Sequence, residues 1–358
     1  MLDTVKQIVN FLKIPITYLQ IPLLYFSYYF FKIFKKKNIN NSWVIGVDEI
    51  ASIIFFLKEI IKPSVSVCLS KNVFYDHKYD YNINIKNIYL RYFFRLFYAP
   101  LLLGYLINKS THFWYIWNSG FLLDRNYEFK FLKSKNLKII TLFCGDDIRS
   151  VKLTNNYAKK NKIDTHTHYQ IYENKIMQTN SYDLEKKKLA KSAEKYADIV
   201  FSYEMCQMSY LECKQFPFPY LFKKTKFFKN LKKYENLGTV KILHAPSSAL
   251  FKGTSLVRAA IKKLEVEKYD FEYIELQNTP NHTVLEHLKS SHIVLNQFYA
   301  LTPGYFGIEA MANNCAVLMS ADPSVEKGLP QNIKDAWMIT KYWQVYDNLK
   351  LLLDNPKK

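Results

Sequence analysis

His244-Ala-Pro-Ser247-Ser248-Ala-Leu-Phe-Lys252-Gly253-Thr254 follows the apolar run Val240 to His244 and leads into a helical pattern over Ser255 to Leu264. A strand, a loop rich in hydroxyls, a lysine–glycine pair and a helix, in that order, make a place for a diphosphate. The first backbone N–H groups of a helix lack internal partners and carry partial positive charge, so an anion satisfies both deficits. Lys252 adds a full charge, with Ser247, Ser248, Gly253 and Thr254 around it in sequence. The competing reading is a lysine decorating an exposed turn, where lysines usually sit. A second stretch, Gly304-Tyr305-Phe306-Gly307-Ile-Glu309-Ala-Met-Ala312, again feeds a glycine-bearing loop into a helix, expected over Gly307 to Asn313. Gly304 and Gly307 would permit close backbone approach to an anionic ligand, and Glu309, expected in the first helical turn, would reach ribose hydroxyls further on. The alternative for Glu309 is to complement the helix dipole, worth about 0.3–1 kcal/mol.

Outward from these stretches, short apolar runs alternate with helical patterns, as in an α/β fold with parallel strands. Strands are expected at Trp43 to Val47, Val65 to Leu69, Lys138 to Phe143, Ala197 to Ser202, Phe271 to Leu276, His292 to Asn296 and Ala316 to Ser320. Helices are expected at Ala51 to Ile61, Lys186 to Tyr196 and Thr283 to Lys289. The strand at Lys138 runs into Cys144-Gly145-Asp146-Asp147-Ile148-Arg149. Polar loops at the carboxyl ends of parallel strands are where ligands collect, although an Asp after a strand also serves as a helix cap. At 358 residues the chain exceeds one hydrophobic core. The division expected is 1–38, 39–225 and 226–358, with Gln215 to Lys233 as the linker between domains.

Ile14 to Phe31 is an uncharged run, followed by Lys32 and the cluster Lys35, Lys36 and Lys37. Three readings are open for it: an interfacial segment, favoured by Pro15, Gln20, Pro22 and the tyrosines and serine within the run; a spanning helix; and a buried helix. Tyr89 to Leu106 is similarly aromatic, and reads either as a second membrane-facing surface or as a core helix, with Pro100 and Gly104 breaking any long span. The net charge of +19 suits phosphorylated ligands or an anionic membrane, or reflects a lysine-rich composition. Nucleic acid is not an expected partner, because no binding signature and no concentrated basic helix occur. Five scattered cysteines fit reduced structural thiols, and His166 and His168 lack the neighbours of a zinc site.

Together the stretches at Lys252 and Glu309 resemble the donor-binding half of family-four, or group-one, glycosyltransferases, which have two facing Rossmann-like domains, the GT-B architecture. The likeness covers Ile242 to Leu318 and extends to Gly145-Asp146-Asp147-Ile148-Arg149, similar to a Gly-x-Asp-x-Arg segment of some members; residues 1–38 fall outside it as an extra hydrophobic helical segment. It implies a nucleotide-sugar-dependent transferase of hexosyl or related groups that retains anomeric configuration and needs no metal or other cofactor. Lys252 would neutralise the diphosphate, Glu309 hold the ribose, and Tyr305 and Phe306 offer backbone N–H groups to the distal phosphate. Asp147 would position or deprotonate the acceptor, with Asp146 and Arg149 on the acceptor side. Ser247 stands where the family has an arginine, and Leu301 where it has a glutamate. His244 and Arg258 are the candidates to restore the missing charge. The acceptor expected is a saccharide, lipid-linked at the cytoplasmic face of the plasma membrane, as in bacterial polysaccharide or glycan biosynthesis. The departures at Ser247 and Leu301 keep open a non-catalytic partner of the same fold.

Overall fold

The computed structural model describes residues 2–34, 42–70, 77–83, 85–222, 228–235, 237–331 and 335–355, apart from the side chains of 2–14, 172 and 173. The lysine cluster at 35–37 and part of the expected linker, 223–227, lie outside the described residues. The chain divides into two compact units, Met1–Ile148 with Glu185–Ser202 and Ser209–Leu221, and Arg149–Leu184 with Tyr203–Met208 and Phe222–Lys358. The units are interleaved in sequence, in place of continuous blocks at 39–225 and 226–358. Segment 149–184 counts with the second unit because it packs there: the His166 ring lies 4.5 Å from that of Phe251.

The first unit holds β1 (Trp43–Val47), α2 (Ile53–Ile60), β2 (Ser64–Cys68), β3 (Tyr81–Asn82), α3 (Ile88–Ile107), β4 (His112–Ile116), α4 (Arg125–Ser134), β5 (Lys138–Leu142) and β6 (Ile199–Phe201), preceded by α1 (Leu2–Ile33). Its six strands are parallel in the order β3-β2-β1-β4-β5-β6, with Ile45 of β1 in register with Ser66 and Trp114. Apolar side chains buried from both faces, among them Val44, Phe113, Tyr115, Ile139, Leu103 and Phe129, fill the core. Each large one contributes roughly 1.5–3 kcal/mol relative to exposure.

The second unit holds α5 (Val151–Asn161), α6 (His166–Glu173), β7 (Val240–His244), α8 (Ala249–Lys252), α9 (Thr254–Val266), β8 (Phe271–Glu275), α10 (Asn281–Ser290), β9 (Ile293–Leu295), α11 (Gly304–Ala312), β10 (Ala316–Met319), β11 (Met338–Ile339) and α12 (Val345–Asp354). The remaining helix, α7 (Asn180–Tyr196), crosses the division. The five parallel strands run β11-β10-β9-β7-β8. Both orders are those of doubly wound sheets, which reverse direction at one point: between β1 and β4, and between β7 and β9.

Residues 1–38 were expected to stand outside the α/β body, yet α1 belongs to the first unit. Leu24 and Tyr28 join its core. The helix lies along α3, where the Ser27 hydroxyl donates to Leu101 O at 2.6 Å and Asn108 Nδ2 donates to Tyr28 O at 2.9 Å. Pro100 and Gly104 do not break α3, which runs unbroken from Ile88 to Ile107. Gly104 instead lets the helices touch: a Cβ there would lie 2.7 Å from both Ser27 Cβ and Tyr28 N. Gly104→Val should therefore push α1 off α3 and destabilise the protein by about 1–3 kcal/mol. The urea midpoint reads this, and an unchanged midpoint would mean that the crossing is not tightly packed.

Candidate functional site

Lys252 ends the short α8, just before Gly253, whose φ of +72° reverses the chain into α9. Its side chain turns inward and is only 8% exposed, so the exposed-turn reading does not hold. Nζ donates to Gln297 Oε1 at 2.6 Å and to Asn296 Oδ1 at 3.3 Å. Burial draws the ammonium down to about 8. Among the described residues no carboxylate forms an ion pair with it.

The two amides follow β9, and Lys252 lies on the connection after β7, so the group flanks the reversal point of this sheet at its carboxyl end. The same amides tie down the approach to α11. Gln297 Nε2 donates to Thr302 O, and Asn296 Nδ2 donates to Pro303 O at 2.6 Å. Gly304, at φ +60°, lies against Gln297, since a Cβ there would be 3.6 Å from Oε1. One pair of neutral side chains thus joins the Lys252 and Gly304 stretches. Asn296 and Gln297 were not singled out in the sequence, although a polar pair just after an apolar strand was the available signal.

Gly307 has a different task from close approach to a ligand. A Cβ there would fall 2.6 Å from Asn296 Nδ2, so its absence makes room for that amide. The helix begins at Gly304 and has no acidic residue in its first turn, which places Glu309 in the second turn, away from the position that best complements the dipole. Glu309 is 6% exposed and accepts from Asn281 Nδ2 at 3.1 and 3.3 Å. Tyr305 and Phe306 occupy the first turn of α11, where backbone N–H groups face outward along the axis. Ser247 and Ser248 are exposed, and Thr254 is buried.

Neither candidate for the missing charge supplies it. His244 Nδ1 bonds the carbonyl of Leu295 at 2.7 Å and must donate there, so Nε2 accepts from the Thr254 hydroxyl at 2.9 Å. Burial then holds the ring neutral, with its pKa down at about 4. Arg258 is engaged bidentately by Glu275, at 3.0 and 2.6 Å. Arg149, expected on the acceptor side, counts with the second unit instead. Its Nε donates to Cys206 O at 2.9 Å, its Nη1 lies 2.9 Å from His166 Nε2, and its guanidinium sits 5.5 Å from the ring of Phe251, next in sequence to Lys252. Since guanidinium only donates, His166 Nε2 accepts.

In the first unit, Asp147 is fully buried, and its oxygens accept from Cys144 N at 2.7 Å and Ile148 N at 2.9 Å. That is a carboxylate folding its own loop, a different task from the acceptor base expected of it. Asp146 is half-buried, and its carbonyl accepts from Lys186 Nζ. At the reversal point of this sheet stand residues the sequence reading passed over. Asp48, directly after β1, meets Arg95 at 3.4 Å, and Arg95 also donates to Gly120 O at 3.1 Å. Glu49 accepts from Ile54 N and Phe55 N at the start of α2 and from the Tyr79 hydroxyl; burial nevertheless lifts its pKa to about 7. Asp147→Asn turns one acceptor into a donor facing a backbone N–H and should cost about 1–3 kcal/mol. A thermal midpoint equal to that of the unaltered chain would contradict the loop-folding role.

No protein-family profile and no curated protein matches the chain by sequence. By structure, 88% of the chain matches 90% of sucrose-phosphate synthase from Thermosynechococcus elongatus, with a TM-score of 0.55 and 9% identity. Fainter likenesses are to the S. aureus MnaA–UDP co-structure, at TM-score 0.47, 14% identity and 88% of each chain, and to a UDP-N-acetylglucosamine 2-epimerase assignment from Listeria monocytogenes, at 0.46, 11% and 89% of each. With the two strand orders, the match to the synthase establishes the fold as GT-B: two Rossmann-like α/β units in one chain.

Proposed function

We propose that the chain is a glycosyltransferase of the family-four kind, which moves a sugar from a nucleotide-diphosphate donor to a saccharide acceptor. The observation that carries this reading is the buried ammonium of Lys252, held by two neutral amides at the reversal point of a doubly wound sheet. An anion is the complement such a charge lacks, and a diphosphate beside the first turn of α11 meets both Lys252 and the backbone N–H groups of Tyr305 and Phe306. Ser247, Ser248, Gly253 and Thr254 border the Lys252 side and Gly304 the α11 side. Glu309 takes the ribose hydroxyls, its carboxylate oriented by Asn281. The fold shared with the matched sucrose-phosphate synthase is in keeping with this reading.

Catalysis then rests on leaving-group stabilisation. The bond from the anomeric carbon to the diphosphate oxygen breaks, Lys252 and the α11 amides stabilise the charge that develops, and a diphosphate oxygen takes the acceptor proton as the acceptor oxygen bonds on the same face. Configuration is retained, and no metal or further cofactor takes part. Asp146 is the better placed of the two aspartates to meet an acceptor, because both oxygens of Asp147 hold loop amides. The acceptor is a lipid-linked saccharide at the cytoplasmic face of the plasma membrane, in bacterial polysaccharide or glycan assembly, a reading motivated by the basic balance and the aromatic α1.

One observation favours a second reading, a non-catalytic partner of the same fold. Ser247 is exposed, Leu301 carries no charge, and His244 and Arg258 replace neither of the family's lost groups. Thermal shift against a panel of nucleotide sugars, followed by assay of nucleotide release with saccharide acceptors, separates the two. A donor present at about one hundred times its dissociation constant stabilises the native state by about 2.7 kcal/mol. The transferase reading expects that shift, its loss in Lys252→Met, and release of nucleoside diphosphate. A shift without release would favour the partner, and no shift from any donor would remove both.

A further inference from the structure

The packed face of α1 mixes apolar Leu24 and Tyr28, which join the core, with polar side chains, while its outward face is largely apolar. On the face packed in the first unit lie Thr17, Gln20 and Ser27, all buried, with Gln20 Nε2 donating to Leu96 O at 3.1 Å and Gln20 Oε1 accepting from Leu123 N at 2.9 Å. On the outward face lie Tyr18, Phe26, Phe30, Ile33 and Phe34, between 47% and 79% exposed. A helix bathed only in water turns charged and polar side chains, and not a row of aromatic ones, to its outward face. The bonds that hold α1 to α3 pair Gln20 with Leu96 and Ser27 with Leu101, so the helices run in the same direction. The first half of α3, which leads up to the level of Gln20, is exposed as well, at Leu90, Tyr92, Phe93 and Phe97. Its second half is not, because Ala99, Leu102, Leu103 and Leu106 are buried in the unit's core.

Among the described residues, α3 is the helix long and apolar enough to cross a membrane. Its buried second half rules out that use, since crossing would strip those side chains from the core. Charge selects the occupant of the patch. Among the described residues, 14–34 and 81–111 hold five Lys or Arg residues, Lys32, Lys86, Arg91, Arg95 and Lys109, and no Asp or Glu. Of these, Lys32 and Lys86 are exposed, and Arg95 is held by Asp48. A second copy of the chain would set two basic faces together, whereas anionic lipid headgroups complement them. Tyrosine and phenylalanine beside lysine are side chains suited to the boundary between headgroups and acyl chains.

We infer that the outward face of α1 and the first half of α3 form one docking surface for an anionic bilayer, which seats the protein in the interface without crossing it. This deepens the proposed reading of a lipid-linked acceptor and rests on it for its purpose, but its residues are separate from the donor site. The full-length protein is mixed with phosphatidylcholine vesicles, with and without phosphatidylglycerol, and floated on a density gradient. Binding should be at least about tenfold stronger with phosphatidylglycerol. Alkaline carbonate should strip the bound protein from the vesicles. Phe26→Ser/Phe30→Ser/Phe93→Ser should lower binding at least about tenfold, because three exposed rings no longer enter the interface, while the thermal midpoint stays the same. Undiminished vesicle binding by the variant, indifference to phosphatidylglycerol, or resistance to carbonate would each overturn the inference. So would vesicle-free dimers that the same substitutions dissociate. Nucleotide-sugar thermal shifts of the unaltered chain and the variant should coincide, so failure of the donor reading and failure of this one give different results.

Discussion

Lys252 is an ammonium taken out of water and given two amide carbonyls in place of a carboxylate, and much of the second unit is arranged around that fact. Desolvation disfavours the charged form, and neutral acceptors offset it only in part. The amides that hold Nζ use their remaining donors to fix Thr302 and Pro303, so the start of α11 is positioned by the same two side chains that aim the lysine. Gly307 lacks a side chain because Asn296 needs the space, and Gly304 takes a left-handed φ beside Gln297. Charge, loop and helix terminus form one mechanical group, which the proposed function takes to be preorganised for an anion.

The wider fold serves this placement. The strand order β11-β10-β9-β7-β8 opens a crevice between β7 and β9, and the connections after these two strands carry Lys252 and the amide pair. The first unit repeats the logic with another order, placing Asp48 and Arg95 at its own reversal point. The α1 helix, which looked like an appendage, is fastened to that unit by Gln20, Ser27 and the close approach at Gly104, leaving its aromatic side outward.

Strands bounded by clear polar breaks were legible. Trp43–Val47 and Val240–His244 occur as read, and α2 and α9 differ from the expected helices by one or two residues at their ends, while the short α8 before α9 has no counterpart in the sequence reading. What escaped is aromatic or charged. His112–Ile116 has no alternation to mark it as a strand, and Arg125–Ser134 carries too many polar residues to stand out as a helix. The start of α11 was placed at Gly307 because glycine and proline suggest a loop, although Gly304 already lies within the helix. At the site, the charged residues Lys252 and Glu309 were visible, while Asn281, Asn296 and Gln297 were not. Neutral amides have no sequence pattern, and only the chain's return across the sheet brings them to the charge. The loop bonds of Asp147 escape the sequence for a related reason, since a buried loop-closing carboxylate and a catalytic one look alike there.

The central claim is that Lys252 waits, partly deprotonated, for an anionic ligand. Calorimetric titration of a nucleoside diphosphate at pH 8, in buffers of differing ionisation enthalpy, measures the protons taken up on binding. With the free lysine near 8, an arriving diphosphate favours the charged form and should draw in up to about half a proton per site, an uptake that vanishes in Lys252→Met. Diphosphate binding without proton uptake, or uptake that survives the substitution, would contradict it.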